Sequence, residues 1–360
     1  MSSAADHIAT GPKSVTVTTG SRLHFGLLTH RPESGREFGG LGVMIDSPGW
    51  QISASTDSSM ISEAAASRSS TVSGDVRIAA SEPALLACPD IEARVGRILS
   101  HWDQSNRDRG QSGPSLTGLT LQIDKAIPGH RGLGSGTQLG LAIGRALSEL
   151  AGESSVCAAT LAERTGRGLR SAVGTWGFES GGLIVDGGKL PEQSVGTCVS
   201  RCDFPDAWRF LLIAPADGHG LSGADEVAAF EQLRGMPPER TERLCRIALM
   251  NLLPAIADAD IAAASAALTE YGRVSGEYFS AVQGGVFADD RMAEVGRRVT
   301  QRGRGFFQTS WGPTCAALCT SNDDLDDLRR ELESANTGSL ILTAARPLNH
   351  GASVTVSSAD

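Results

Sequence analysis

The chain has 360 residues and a formal net charge of −9, and 40% of its residues are hydrophobic. This size and composition suit one large or two medium globular domains with a sizeable core. Aromatic residues make up only 5%, so the acidic chain offers neither the basic groove nor the stacking platforms of a nucleic-acid binder. Its charge also disfavours a membrane surface, and no apolar run is long enough to cross a membrane. Seven scattered cysteines without zinc-ligand spacing indicate buried thiols in a reducing cytoplasm.

The N-terminal half alternates strand-like and helical patterns. Residues 1–13 have no hydrophobic periodicity, so we expect a disordered tail there. Alternation of apolar and polar residues, or short apolar runs between turns, predicts strands in the following segments: Ser14–Thr18, Ser21–Leu28, Gly39–Ser55, Leu116–Pro128 and Gly182–Gly188. Helical spacing of apolar residues predicts helices at these positions: Glu92–Trp102, from Gly136 to Leu150, and about Ser155–Thr165. The glycine-studded segment Gly166–Gly182 is predicted to be a loop.

Near residue 200 the pattern starts again with a buried strand at Trp208–Pro215. The later elements are predicted as helices between about Ala224 and Arg273, a helix at Asp290–Arg302, a strand entered through the glycine turn of Gly305–Thr320, a helix at Leu325–Ser334 and a final strand at Gly338–Leu348. This order favours an α+β layer, with helices on one face of an antiparallel sheet. We therefore predict two domains, covering residues 14–200 and 201–360.

The segment Ile127–Gly140, IPGHRGLGSGTQLG, is a candidate phosphate-binding loop. The first N–H groups of a helix lack internal partners and carry a positive partial charge, and glycines let an anion approach them closely. The candidate ligands are His130, Arg131, Gly132, Gly134, Ser135, Gly136, Thr137 and Gln138. A glycine turn that only packs a strand against a helix is the alternative. The spacing fits neither a Walker A loop nor the dinucleotide fingerprint GxGxxG.

This loop resembles the phosphate loop of the GHMP superfamily, which includes galactokinase and the homoserine and mevalonate kinases and has the pattern P-x(3)-G-L-G-S-S-A. The segment QTSWGPTCAAL, with Ser310, Gly312 and Thr314, resembles the late glycine motif that lies beside that loop in the superfamily. The resemblance implies a two-domain GHMP-kinase-like fold, with a ribosomal-protein-S5-domain-2-like N-terminal domain and a ferredoxin-like α+β C-terminal domain.

Five stretches resemble one branch more closely, the β-ribofuranosylaminobenzene 5′-phosphate synthases of tetrahydromethanopterin biosynthesis: SRLHFGL, FGGLGVMID, GLGSGTQL, RSAVGTWGFESGGLIVDGG and SWGPT. The branch joins phosphoribosyl diphosphate to a para-substituted benzoate (4-aminobenzoate or 4-hydroxybenzoate) and releases CO2 and diphosphate. It also implies a homodimer. Many GHMP kinases carry a catalytic aspartate where this chain has Ser171–Thr175, which contains no carboxylate; an ATP-dependent small-molecule kinase and a non-catalytic ligand-binding relative remain the alternatives.

The implied reaction requires residues that stabilise a leaving diphosphate and activate the ring. Mg²⁺ is the expected cofactor, since it commonly binds phosphates together with one or two carboxylates, and Asp46 and Asp186 are the candidate ligands, although either could cap a turn instead. Arg22 and His24 share one face of a predicted strand, where Arg22 could bind a carboxylate or phosphate and His24 could act as a base. A polar rim at the sheet edge is the alternative for this pair.

Overall fold

The computed structural model describes residues 14–33, 35–56, 69–72, 76–110, 116–218, 220, 223–335 and 338–357. The predicted tail, residues 1–13, lies outside these ranges. The described chain forms an eight-stranded sheet and a four-stranded sheet. Among the described residues, no helix is both long enough and apolar enough to cross a membrane.

The larger sheet is mixed, and its main path has the order β12-β1-β2-β5-β4-β3, with β6 joining β2 to β7. Its strands are β1 (Ser14–Leu27), β2 (Gly40–Ser55), β3 (Ser69–Val72), β4 (Val76–Ala80), β5 (Thr120–Lys125), β6 (Leu183–Asp186), β7 (Cys198–Cys202) and β12 (Ser353–Ser357). The strands predicted at Ser14–Thr18 and Ser21–Leu28 form one continuous β1, because irregularities in the register with β2 absorb the break in alternation.

Five helices belong to this half: α1 (Glu82–Ala87), α2 (Ile91–Asp108), α3 (Ser135–Leu150), α4 (Ala158–Arg164) and α5 (Val173–Ser180). Helix α3 packs on β1 and β2 and is buried along most of its length. The prediction of a loop at Gly166–Gly182 is wrong for the second part of that segment, which forms α5. Glycines in that stretch allow close packing: a Cβ at Gly177 would lie 2.5 Å from Sδ of Met44.

The smaller sheet is antiparallel with the order β11-β8-β10-β9. Its strands are β8 (Arg209–Pro215), β9 (Phe306–Gln308), β10 (Cys315–Cys319) and β11 (Leu340–Ala345). Six helices accompany it: α6 (Gly223–Gln232), α7 (Pro238–Arg246), α8 (Leu253–Ala257), α9 (Ile261–Gln283), α10 (Arg291–Gln301) and α11 (Asn322–Ser334), with a π-helical turn at Ile247–Leu252. Numbered along the chain, the strand order is 4-1-3-2, that of the predicted ferredoxin-like domain.

The two halves are joined by more than the connecting chain. Strand β12, which belongs to the second predicted domain, pairs with β1 of the first. The division between the two sheets therefore differs from the predicted boundary at residue 200. Thr309, at the end of β9, donates a hydrogen bond to the Gly132 carbonyl (2.9 Å) and accepts one from the His24 backbone N–H (2.9 Å). These buried hydrogen bonds fix the second half against both β1 and the glycine loop.

Candidate functional site

A cavity of about 860 Å³ lies where β1, the start of α3, the segment between α4 and α5, helix α6 and the turn after β9 meet. Glycine makes this arrangement possible at the loop. Gly134 caps α3 in the left-handed conformation, and a Cβ there would lie 2.6 Å from Cγ of Arg22. At Gly132, also at positive φ, a Cβ would lie 2.3 Å from the Thr309 carbonyl oxygen. Both positions therefore require glycine.

The cavity is lined by most of the predicted loop residues, namely His130, Arg131, Gly132, Gly134, Ser135, Gly136 and Thr137. The Arg131 guanidinium also donates to the carbonyl oxygens of Pro215 (2.7 Å) and Ala216 (3.3 Å), at the end of β8. It thus connects the loop to the smaller sheet as well as facing the cavity.

Gln138 does not face the cavity, and its prediction as a phosphate ligand is wrong. The side chain is fully buried. Its Oε1 accepts a hydrogen bond from Thr19 Oγ1 (2.7 Å), and its Nε2 donates to the Gly174 carbonyl (2.8 Å). The amide therefore ties α3 to β1 and α5, a structural role that satisfies its own buried polar atoms.

Three arginines near the start of α3 line the cavity but were not predicted from the sequence as site residues. Arg94, Arg97 and Arg167 line the cavity, and Arg94 Nη2 donates to Ser135 Oγ (2.9 Å). Burial, with the nearby charges of Arg94 and Arg97, lowers the pKa of Arg167 to about 10, so it stays charged at neutral pH. Its buried Nε has no hydrogen-bond partner among the described residues. The sequence did indicate Arg94, because this residue interrupts the apolar stripe of α2. The structure shows that its side chain is buried there.

The second glycine motif contributes two of its three predicted residues. Ser310 and Gly312 line the cavity, both at positive φ. Thr314 is buried and is not among the lining residues; its carbonyl accepts the Thr309 N–H (3.0 Å) within the turn. Thr314 therefore does not line the cavity, and Thr309 instead makes the contacts to the loop.

Arg22 and His24 both reach the cavity from β1. Arg22 Nη1 donates to the Gly132 carbonyl (3.3 Å), and burial lowers its pKa to about 10, which leaves it charged at neutral pH. His24 is buried; this burial, and then the positive charge of Arg22, lower its pKa well below the ordinary 6.5. His24 is therefore neutral at physiological pH and has a lone pair with which it can accept a proton.

A second group of lining residues is aromatic, and we call it the aromatic end of the cavity. It is lined by Phe230, Phe279 and Trp311. The Trp311 ring centroid lies 5.0 Å from that of Phe230 and 4.7 Å from that of Phe279. The Arg170 guanidinium lies 4.2 Å from the Phe230 ring centroid and forms an ion pair with Glu226. Trp176, the other tryptophan in a glycine-rich stretch, donates instead to the Gly196 carbonyl (2.8 Å) and does not line the cavity.

Neither predicted metal ligand faces the cavity. Asp46 is exposed and accepts the Arg346 N–H (2.8 Å), so it holds the segment after β11 against β2. Asp186 is fully buried, and its carboxylate accepts hydrogen bonds from Ala172 N (2.6 Å), Gly188 N (2.9 Å) and Ser171 Oγ (3.2 Å). Neither carboxylate lines the cavity, and the Asp186 oxygens are already used by protein donors, so the structure does not support either residue as a metal ligand there.

The cavity does contain other carboxylates. Glu226 is engaged by Arg170, whereas Asp90 is exposed at the rim, 3.7 Å from Nε2 of His130 and 4.0 Å from Nη1 of Arg94. Within the described ranges, no three His, Cys, Asp or Glu side chains gather as a metal cluster. A metal that enters with a phosphate ligand could therefore use Asp90, but the described residues form no complete metal cage.

Comparison with known proteins adds the family context. Residues 98–175 match the model of the GHMP kinases N terminal domain. A relative from Methanothermobacter thermautotrophicus, named beta-ribofuranosylphenol 5'-phosphate synthase, is 30% identical over 266 residues, covering 71% of this chain and 74% of the relative. A relative of the same name from Archaeoglobus fulgidus is 31% identical over 277 residues, covering 70% and 82%.

Solved structures agree on the fold. Mevalonate diphosphate decarboxylase from Staphylococcus aureus superposes with a TM-score of 0.62 at 11% identity, covering 97% of this chain and 100% of that one. Homoserine kinase from Cytophaga hutchinsonii gives 0.59 at 13% identity, with 99% of each chain covered. The predicted α+β, GHMP-kinase-like fold is confirmed.

Proposed function

The chain belongs to the beta-ribofuranosylphenol 5'-phosphate synthase family, and from this membership we propose that it transfers ribose 5-phosphate from phosphoribosyl diphosphate to a para-substituted benzoate, with release of CO2 and diphosphate. The name of these relatives specifies a phenol, which favours 4-hydroxybenzoate over 4-aminobenzoate as the acceptor. The observation that carries the proposal is one cavity with a cationic end, an aromatic end, and Arg22 and His24 on the strand that lines it.

The cationic end suits the diphosphate. The free N–H groups of α3 and the guanidinium groups of Arg94, Arg97 and Arg167 surround one part of the cavity. Negative charge grows on diphosphate as its bond to ribose C1 breaks, and fixed cationic donors at that point lower the barrier. Arginine suits this role because its planar donors can bind phosphate oxygens in pairs.

The aromatic end suits the benzoate ring. Phe230, Phe279 and Trp311 offer ring surfaces for offset or edge-to-face packing. A benzoate also carries a carboxylate, which Arg170, stacked on the Phe230 ring, or Arg22 on β1 could bind. Apolar ring surface combined with placed polar groups is typical of small-molecule sites.

In this reaction the electron pair of the ribose C1–O bond leaves with diphosphate. The ring carbon that bears the carboxylate supplies the pair for the new C1–C bond, and the pair of the ring–carboxylate bond returns to the ring as CO2 departs. His24, neutral because of burial and the charge of Arg22, removes the proton of the para hydroxyl and thereby increases the electron density of the ring. The proton returns to the phenolate oxygen once the ring is aromatic again.

Mg²⁺ stays a proposal. It would supply additional charge stabilisation to the departing diphosphate. Asp90 replaces Asp46 and Asp186 as the expected protein ligand, because it is the exposed carboxylate at the cationic rim. We likewise propose, on the family resemblance, a cytoplasmic homodimer.

A kinase of the same fold is the competing function. Many such kinases place a catalytic aspartate after the second helix, but the corresponding turn, Ser171–Thr175, has no carboxylate. The next acid, Glu179, accepts a hydrogen bond from the Ala158 N–H at the start of α4 and is not among the cavity-lining residues. These positions support a transferase in which diphosphate leaves.

The test is CO2 release. The purified protein is incubated with phosphoribosyl diphosphate, Mg²⁺ and carboxyl-labelled 4-hydroxybenzoate or 4-aminobenzoate, and ATP consumption with small alcohol acceptors is measured in parallel. We expect labelled CO2 with the hydroxy acid, and a loss of at least about a hundredfold in Arg22→Ala and His24→Ala. Asp46→Asn, at an exposed position that does not line the cavity, is the control and should keep the wild-type rate. ATP consumption without CO2 from either acid would overturn the proposal in favour of a kinase.

A further inference from the structure

A chain of buried polar groups leads from the cavity into the protein. His24 Nε2 lies 3.1 Å from Ser171 Oγ, and Ser171 Oγ lies 3.2 Å from Oδ2 of Asp186. His24 and Asp186 are buried, and Ser171 is partly buried. These side chains come from β1, the turn before α5 and the end of β6, so the fold brings together groups far apart in the sequence.

The hydrogens of this chain have one consistent arrangement when Asp186 is ionised. A carboxylate can only accept, so the Ser171 hydroxyl donates to Asp186. The Ser171 oxygen already accepts the Val173 backbone N–H (3.3 Å), and with its hydrogen directed to Asp186 it can only accept from the imidazole. His24 must then carry its proton on Nε2, which leaves the lone pair on Nδ1.

We propose that Ser171 and Asp186 are positioning residues that hold His24 in the Nε2–H tautomer, so that Nδ1 is the base for the para hydroxyl of the acceptor. This proposal rests on the function proposed above. The acceptor proton moves to Nδ1 and later returns to the phenolate, so Ser171 and Asp186 gain and lose no proton. The Asp186 charge, conveyed through the oriented Ser171 hydroxyl, stabilises the imidazolium while it exists.

The surrounding charges are consistent with this role. Arg22 faces His24 and opposes its protonation, so an imidazolium beside it requires a compensating negative charge. Among the described residues, the charge of Lys189, which follows β6, favours the ionised form of Asp186, and Cys198 of the paired strand β7 also lies near it. Burial raises the pKa of Asp186 to about 6, while its backbone hydrogen bonds partly oppose that rise. Once Asp186 is protonated, the carboxyl can donate to Ser171 and the hydrogen-bond direction reverses.

The kinetic test compares Ser171→Ala, Asp186→Asn and the matched surface control Asp46→Asn. We expect kcat to fall at least about tenfold in the first two variants, the range of a mispositioned general base, with little change in KM for either substrate. The wild-type kcat should fall below about pH 6, the Asp186 pKa, and Asp186→Asn should lose that acid limb. Unchanged kcat in both variants, or a fall in kcat near pH 6 that persists in Asp186→Asn, would overturn the proposal.

A second measurement does not depend on turnover. Nitrogen-15 NMR of histidine-labelled protein reports which ring nitrogen carries the proton, and His24→Gln identifies the signal. We expect Nε2–H for His24 in the wild type and a shift towards the other tautomer in Ser171→Ala. A wild-type Nδ1–H tautomer refutes the proposal. The expected tautomer in a protein that releases no CO2 would instead refute the proposed reaction and leave the hydrogen-bonded chain in place.

Discussion

The buried carboxylate of Asp186 should make its own contribution to stability depend on pH. Burial raises its pKa from 3.8 to about 6, which corresponds to a change of about 3 kcal/mol in the free energy of unfolding. Because the folded state holds the proton more tightly than the unfolded chain, this contribution is greatest below pH 3.8 and is lost as pH rises through about 6. Asp186→Asn removes the titrating group while keeping the side-chain shape.

The measurement is the difference in the free energy of unfolding between wild type and Asp186→Asn. Urea unfolding at intervals between about pH 4 and pH 7 gives both values, and the subtraction cancels groups that titrate alike in the two proteins. We expect the wild type to lose about 3 kcal/mol relative to the variant across that range. The variant should also be less stable by an amount that does not depend on pH. In either orientation the asparagine amide leaves the N–H of Gly188 or of Ala172 without an acceptor, which costs about 1–3 kcal/mol.

The sign of the slope is the decisive result. A flat difference, or one in which the wild type gains stability as pH rises, would mean that the hydrogen bonds from Ala172, Gly188 and Ser171 outweigh the loss of hydration. Asp46→Asn makes the same chemical change on an exposed side chain and serves as the matched control.

Other substitutions separate the two ends of the cavity from the structural residues. Arg167→Ala should raise KM for phosphoribosyl diphosphate at least about tenfold, because a charged phosphate donor is lost, with KM for hydroxybenzoate steady; equal effects on both would contradict a diphosphate subsite. In the same steady-state assay, Phe230→Ala should raise KM for hydroxybenzoate and leave KM for phosphoribosyl diphosphate steady. An unchanged KM for hydroxybenzoate would mean that its aromatic ring binds elsewhere. Gln138→Leu should lower the free energy of unfolding by about 2–4 kcal/mol, since both buried partners lose their hydrogen bonds; wild-type stability in urea unfolding would contradict that structural role.

The sequence predicted the site best where geometry is local. Alternation along β1 placed Arg22 and His24 on one face, and both line the cavity. The glycine loop opens α3, as its spacing indicated. In both cases a repeat of two or 3.6 residues determines where a side chain points, so neighbours in sequence suffice.

The sequence failed where several elements converge. Arg94 and Arg167 come from α2 and from the segment after α4, and only the packing of those elements on α3 brings them to its start. Gln138 differs from its loop neighbours because one further residue of helix turns its amide away from the cavity, towards Thr19. Asp186 follows an apolar strand just as an active-site carboxylate does, and nothing local shows that backbone N–H groups already occupy its oxygens.

The same fold can hold a phosphate that is transferred or one that leaves, and the placement of carboxylates distinguishes the two. Phosphoryl transfer to an alcohol uses a base beside the acceptor hydroxyl. Here the Ser171–Thr175 turn provides a serine, and the nearest acid, Asp186, lies behind that serine and is fully buried. Its charge therefore reaches the cavity only through Ser171 and His24. A base of that kind suits the proton of a phenol, whose ordinary pKa is about 10, better than that of an aliphatic alcohol. In the proposed reaction, the arginines of the cationic end bind the diphosphate as it departs.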